Sequence, residues 1–169
     1  TFYIIGVGMM YMMTGTLNMA DLANRIPLVA DTRTIQVAIA FIIVGLGLKL
    51  AIFPLHMWLP NAYTFAPSVV TIFLAATATK VAVYALLRMV FTVFGGAPLF
   101  VVAQALMILA VVAMFVGSLV AIYQSNIKRM LAYSSIAQIG YMVLGISFIS
   151  AIGLTGGIIH LFNHALVKG

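Results

Sequence analysis

The sequence has 169 residues, of which 65% are hydrophobic and 6% charged, with a mean hydropathy of +1.25. Soluble domains carry about 25% charged residues, so this composition excludes a soluble globular fold and defines an integral membrane protein. The net charge of +6 does not indicate nucleic acid, because no basic cluster exceeds Lys128-Arg129, and the absence of cysteine excludes disulfides and thiolate metal sites.

The first apolar run covers Thr1 to about Leu17. Asn18 to Arg33 is a polar connection whose charges cancel: Asp21 and Asp31 against Arg25 and Arg33. The second span runs from Thr34 to Pro60 and contains Lys49, 15 residues after its start and 11 before its end. Along a helix those separations are about 22 Å and about 16 Å, too deep for easy snorkelling to an interface. Pro54 follows five residues later. It has no N–H and clashes with the carbonyl four residues back, that of Leu50. The helix is therefore expected to break over Lys49–Pro54, beside the lysine. Irregular backbone at this depth is tolerated only in a protein interior or a wet cavity. His56, Trp58 and Tyr63 are expected to place amphipathic rings at the boundary.

Residues 68–94 form the third span, with Thr77, Lys80, Tyr84 and Arg88 on one helix face and a run of small residues, Ala75 to Thr79, that permits close helix contact. Gly95-Gly96-Ala97-Pro98 is read as a tight turn. Residues 99–123 form the fourth span. The basic connection Ser125–Arg129 is placed in the cytoplasm by the positive-inside rule. The fifth span, 130–150, carries Ser134, Gln138 and Tyr141 on one face. The sixth, 153–169, has His160, His164 and Lys168 at four-residue spacing, a ladder of basic groups along one face. Together these six spans form one all-α polytopic membrane domain. Neither end carries a polar tail, and a helical pattern is still running at Lys168. An internal piece of a larger subunit is therefore expected, with the acidic partners of its lysines lying elsewhere.

Lys49 and Lys80 are the residues that most demand a function. An ammonium in hydrocarbon costs a few kcal/mol or more, and no carboxylate lies nearby in sequence. Snorkelling or a structural ion pair is the plain alternative. A lysine that gains and loses a proton as its neighbours change charge explains the depth better. His160 and His164 at i and i+4 have metal-ligand spacing, but the intervening Leu161, Phe162 and Asn163 supply neither a base nor a third ligand. Metal or haem binding through these histidines and plain core packing are the competing readings. A proton wire of His160, His164 and Lys168 is favoured, since histidine titrates near neutrality. Tyr84, Ser134 and Gln138 are supporting candidates along the path. No cofactor is expected, and no bond-making chemistry of the chain's own.

Four stretches then give a resemblance. Lys49 with FPLHMWLPNAYTFAPS (53–68), Lys80 within ATKVAVYALLR, NIKRMLAYSSIAQIGYM (126–142) and HLFNHALVKG (160–169) closely resemble the antiporter-like membrane subunits. That family is shared by respiratory complex I, Mrp-type sodium/proton antiporters and membrane-bound hydrogenases. The resemblance covers residues 34–169, and the wording of AYTFAPS and ATKVAVYALLR is most similar to the D subunit of the Mrp antiporters. It implies a bundle of about fourteen spans built on inverted repeats, of which this chain would supply the sixth to eleventh. It also implies that Lys49 is the lysine at the broken helix, paired with a glutamate from an earlier span. Lys80 would be the bridging lysine, and His160, His164 and Lys168 the link between half-channels. Asn61 departs from the aspartate usual after the WLP motif. The implied function is proton translocation, in exchange for sodium in an antiporter or driven by quinone reduction in complex I. The implied partners are other membrane subunits, protons, sodium and lipid. The implied location is a bacterial or archaeal plasma membrane.

Overall fold

The computed structural model describes residues 1–94 and 97–168, apart from the side chains of 97–99. The turn expected around Gly95-Gly96 lies outside the described residues. All regular structure among the described residues is helical: α1 (Phe2–Thr14), α2 (Met19–Val29), α3 (Arg33–Leu50), α4 (Trp58–Phe65), α5 (Ser68–Phe73), α6 (Thr79–Arg88), α7 (Ala97–Ile122), α8 (Ile127–Ser147) and α9 (Ala151–Lys168). Two π-helical segments, Leu74–Ala78 and Met89–Val93, follow α5 and α6, so that residues 68–93 run as one helix. Four helices among the described residues are long and apolar enough to cross a membrane: Arg33–Leu50, Ser68–Val93, Phe100–Ile122 and Ile127–Ser147.

The chain divides into two compact units. The first comprises residues 1–47 and 84–102. Here α1 and α3 touch backbone to backbone, because glycine stands at both contacts. A Cβ on Gly6 would lie 2.7 Å from the Ala38 carbonyl oxygen, and one on Gly45 would lie 2.6 Å from the Tyr3 nitrogen. Phe2 and Phe41 stack beside this contact at 5.8 Å. The buried residues Ile35, Ala38, Ile39, Ile42 and Leu46 trace one stripe of α3, the spacing a helix needs to seal a single face. The polar connection folds into α2. Asn18 caps it by accepting from the Ala20 N–H at 2.9 Å, which satisfies one of the orphan donors of a helix start. Arg25 pairs with Asp21 at 2.9 Å and also donates to the Thr14 carbonyl, tying α2 to the end of α1. Leu22 and Ile26 turn inward, and α2 packs on the π segment Met89–Val93.

The second unit comprises residues 48–83 and 103–169. Helix α3 ends at Leu50, and regular helix resumes only at Trp58. The second span is thus opened between its two helical parts, next to Lys49. Ala51 takes a left-handed conformation, with φ 57°, and the Phe53-Pro54 peptide is cis. The indole N–H of Trp58 donates to the Leu48 carbonyl at 2.7 Å and closes over the broken end. Helix α8 is the enclosed centre of this unit, with 61% of its span buried against 22% for α7. Close approach again depends on glycine. A Cβ on Gly117 would meet the Ala137 nitrogen at 2.8 Å, and one on Gly140 the Ala110 carbonyl at 2.9 Å. Helices α8 and α9 form a hairpin in which Gly145 faces Gly153 and Gly157, and α9 packs on the π segment Leu74–Ala78.

Candidate functional site

Arg88 belongs to the first unit, whereas Lys49, Lys80, His160, His164 and Lys168 all lie in the second. That unit contains no aspartate or glutamate, since Asp21 and Asp31 both belong to the first. Lys80 is 6% exposed. Its ammonium donates to the Ala75 carbonyl, five residues back on its own helix. The π segment explains this pairing. A π turn replaces the regular four-residue ladder with a wider one, and the Ala75 carbonyl lies within that turn. Thr77 contributes by donating to the Phe73 carbonyl at 2.7 Å.

The α8–α9 hairpin brings a second set of groups to this helix. His164 is 5% exposed, and neither of its ring nitrogens has a hydrogen-bond partner; His160 Nε2 is also buried and unpaired. The two rings are nearly parallel, 6.4 Å apart and inclined by 13°. Tyr141 on α8 lies 5.8 Å from His160. Lys168 donates to the Leu131 carbonyl at 3.0 Å, an oxygen that also accepts from the buried hydroxyl of Ser135 at 2.9 Å. Helix α9, which carries His160, His164 and Lys168, packs on the π segment that precedes Lys80. Four ionisable bases are thus carried on α6 and α9: the two lysines donate to main-chain oxygens, and the His164 ring has no hydrogen-bond partner. No group of three or more metal-binding side chains occurs among the described residues.

The other sequence candidates fall differently. Lys49 is exposed on this chain, in the last turn of α3. Tyr84 is 57% exposed and belongs to the first unit, whereas Lys80 belongs to the second. Ser134 and Gln138 are half-buried on α8. Two residues read from sequence as boundary rings are instead internal: His56 is 6% exposed and Tyr63 3%. His56 is sandwiched by Phe53 at 5.4 Å and the edge of Tyr133 at 6.2 Å. A ring with one polar tip suits either an interface or a core with a partner for that tip, so sequence pattern alone does not separate the two. Ser135 and the Ala75 carbonyl were not singled out by sequence. Nothing in the residue pattern marks a main-chain oxygen released by a π turn.

An all-helical membrane bundle with an interrupted helix and with buried Lys80 and His164 in a unit free of carboxylates places the chain among polytopic membrane subunits. The whole chain, residues 1–169, matches the family described as NADH:quinone oxidoreductase/Mrp antiporter, transmembrane, and belongs to it. It is 48% identical over 169 residues to NADH-quinone oxidoreductase subunit N of Desulforudis audaxviator, covering 99% of this chain and 34% of the relative. It is 36% identical over 166 residues to the D subunit of the Na(+)/H(+) antiporter of Alkalihalophilus pseudofirmus, with 98% and 34% covered. Among solved structures it superposes with a TM-score of 0.93, at 36% identity, on a chain of an archaeal membrane-bound sulfane sulfur reductase. That match covers 99% of this chain and 34% of the other. The chain therefore spans about a third of the length of the relatives it matches.

Proposed function

We propose that this chain is part of a proton-translocating subunit of a multisubunit membrane complex, a monovalent cation (sodium)/proton antiporter, in a bacterial or archaeal plasma membrane. The observation that carries the reading is Lys80. It is buried and hydrogen-bonded to a main-chain oxygen, its helix packs against the helix that carries His164 and Lys168, and there is no carboxylate in its unit. A lysine kept only for structure would be expected to have a fixed counter-ion, because a buried unpaired charge is strongly destabilising. Proton hand-off then runs between Lys80 and the His160–His164–Lys168 ladder, with Ser134, Gln138 and Tyr84 as secondary contributors. Lys49 stands at the opened helix, where its exposed face awaits a partner from outside this chain.

The 48% identity to a subunit N supports a second reading, a place in a quinone-reducing complex. In the antiporter the energy comes from ion gradients, and in the quinone-reducing complex from redox chemistry in other subunits. The test is proton uptake by the whole complex in proteoliposomes, with Lys49→Ala and Lys80→Met beside the unmodified protein. Both variants should assemble and lose transport. Unchanged uptake in either would remove that lysine from the path. Dependence of uptake on a sodium gradient, against dependence on quinone reduction, separates the two readings.

A further inference from the structure

Helix α3 ends at Leu50, and the carbonyls of a helix's last turn have no partner further along it. The Leu48 carbonyl is met by two donors from beyond that end: the Ala51 N–H at 3.3 Å and the indole N–H of Trp58 at 2.7 Å. The other hydrogen bonds of the opened segment are local. The Leu55 N–H donates to the Ile52 carbonyl at 2.7 Å and the Leu59 N–H to the His56 carbonyl at 3.1 Å. Among the described residues, the Trp58 bond is therefore the one hydrogen bond that joins α4 to α3 across the opening. Leu50, Ala51 and Leu59 are fully buried on either side of it, whereas Trp58 is 42% exposed. The indole is not a core residue here, and its particular contribution is its donor, the polar tip that such a ring carries. The acceptor matters equally. The Leu48 carbonyl and the Lys49 nitrogen belong to one planar peptide unit, so a donor that fixes that oxygen fixes the plane from which Lys49 departs.

We propose that Trp58 is a positioning residue. Its indole N–H straps the start of α4 to the end of α3 and holds the Leu48-Lys49 peptide, and with it the lysine stem, in one orientation. The consequence for transport rests on the reading of Lys49 given above, and the strap itself does not.

Two replacements separate the donor from the ring. Trp58→Phe keeps an aromatic ring, and Trp58→3-benzothienylalanine keeps the full bicyclic shape with sulfur in place of the N–H. In the whole complex in lipid, both should leave the melting temperature unchanged. Amide exchange, which reads local opening, should speed up about tenfold at Ala51, Leu55 and Leu59 in both, with α8 unchanged. Proton uptake should fall about tenfold, as when a reacting group is misplaced, and the pH profile of the remaining uptake should be displaced. Exchange at the parent rate in the benzothienyl protein overturns the strap, whatever Lys49 does. Faster exchange with unchanged uptake and pH profile overturns the positioning role, and so does a lowered melting temperature of the benzothienyl protein, which would mark the bond as structural. The reading of Lys49 fails separately, if Lys49→Ala transports normally while loss of the indole N–H still speeds exchange.

Discussion

Replacing Gly145 by alanine puts a methyl group 2.8 Å from the Gly153 carbonyl oxygen and 3.2 Å from the backbone of Gly157. Ordinary contact begins at 3.4 Å, so α8 and α9 would have to part by about 0.6 Å at this point. The atoms in the way are main chain and cannot rotate aside. Overpacking of this kind costs about 1–3 kcal/mol. The gain of alanine over glycine inside a helix, about 0.5–1 kcal/mol, offsets part of it, so a net loss of up to about 2.5 kcal/mol, centred near 1 kcal/mol, is expected. Gly157→Ala is the matched control on the same interface. Its methyl group meets nothing closer than 3.4 Å, so it should keep the helix gain and melt no lower than the parent. Fluorescence-detected melting of the assembled complex reads both variants. Because α9 carries His160, His164 and Lys168, Gly145→Ala should also slow proton uptake, and Gly157→Ala should not. Equal melting of the two variants, or a larger loss at Gly157, would refute the account of the hairpin as glycine-limited.

Lys80→Met exchanges a buried ammonium for an apolar side chain of similar length, so melting should be unchanged or higher while uptake is lost; a collapse of assembly would instead mark Lys80 as structural. Ile149, in the turn between α8 and α9, holds φ at 49°, a conformation that costs an L-residue roughly 1–2 kcal/mol. Ile149→Gly should therefore raise the melting temperature, and a fall would show that its side-chain packing outweighs the backbone strain. The Arg25 guanidinium holds the Asp21 carboxyl below the usual carboxylate range. A lowered folded-state value means that the pair stabilises α2 above the ordinary carboxylate pKa, and that this contribution disappears as pH falls through the folded value. Protection factors in α2, which correct exchange for its intrinsic pH dependence, should therefore fall on acidification and with added salt, and Asp21→Asn should abolish the acid-dependent part.

Much of this arrangement was legible in the residues. Pro54 alone announced the interruption beside Lys49, because a prolyl ring inside a helix admits few outcomes. The four-residue spacing of His160, His164 and Lys168 placed them on one face, and the stacked imidazoles follow from it. The membrane fold followed from hydropathy, since each backbone must satisfy itself in lipid. The π segments were not legible. The run Ala75 to Thr79 is compatible with a regular helix and with a wide turn, and tertiary contact with α9 is present only in the fold. The burial of His56 and Tyr63 was hidden for a related reason. Their shared neighbour Tyr133 is 77 and 70 residues away in sequence. Lys49 is exposed in the last turn of α3, in contrast to the depth its place in the sequence suggested.

The widened turn at Leu74–Ala78 makes this helix sensitive to its residue count. Deleting one residue there would let a uniform α ladder form, turning Ser68–Phe73 by about 100° relative to Lys80. The Ala75 oxygen would shift relative to the amine and that contact would be lost, although every side chain around it were intact. Point substitutions in this alanine-rich run should thus be forgiven far more readily than a frame-preserving loss of a single codon.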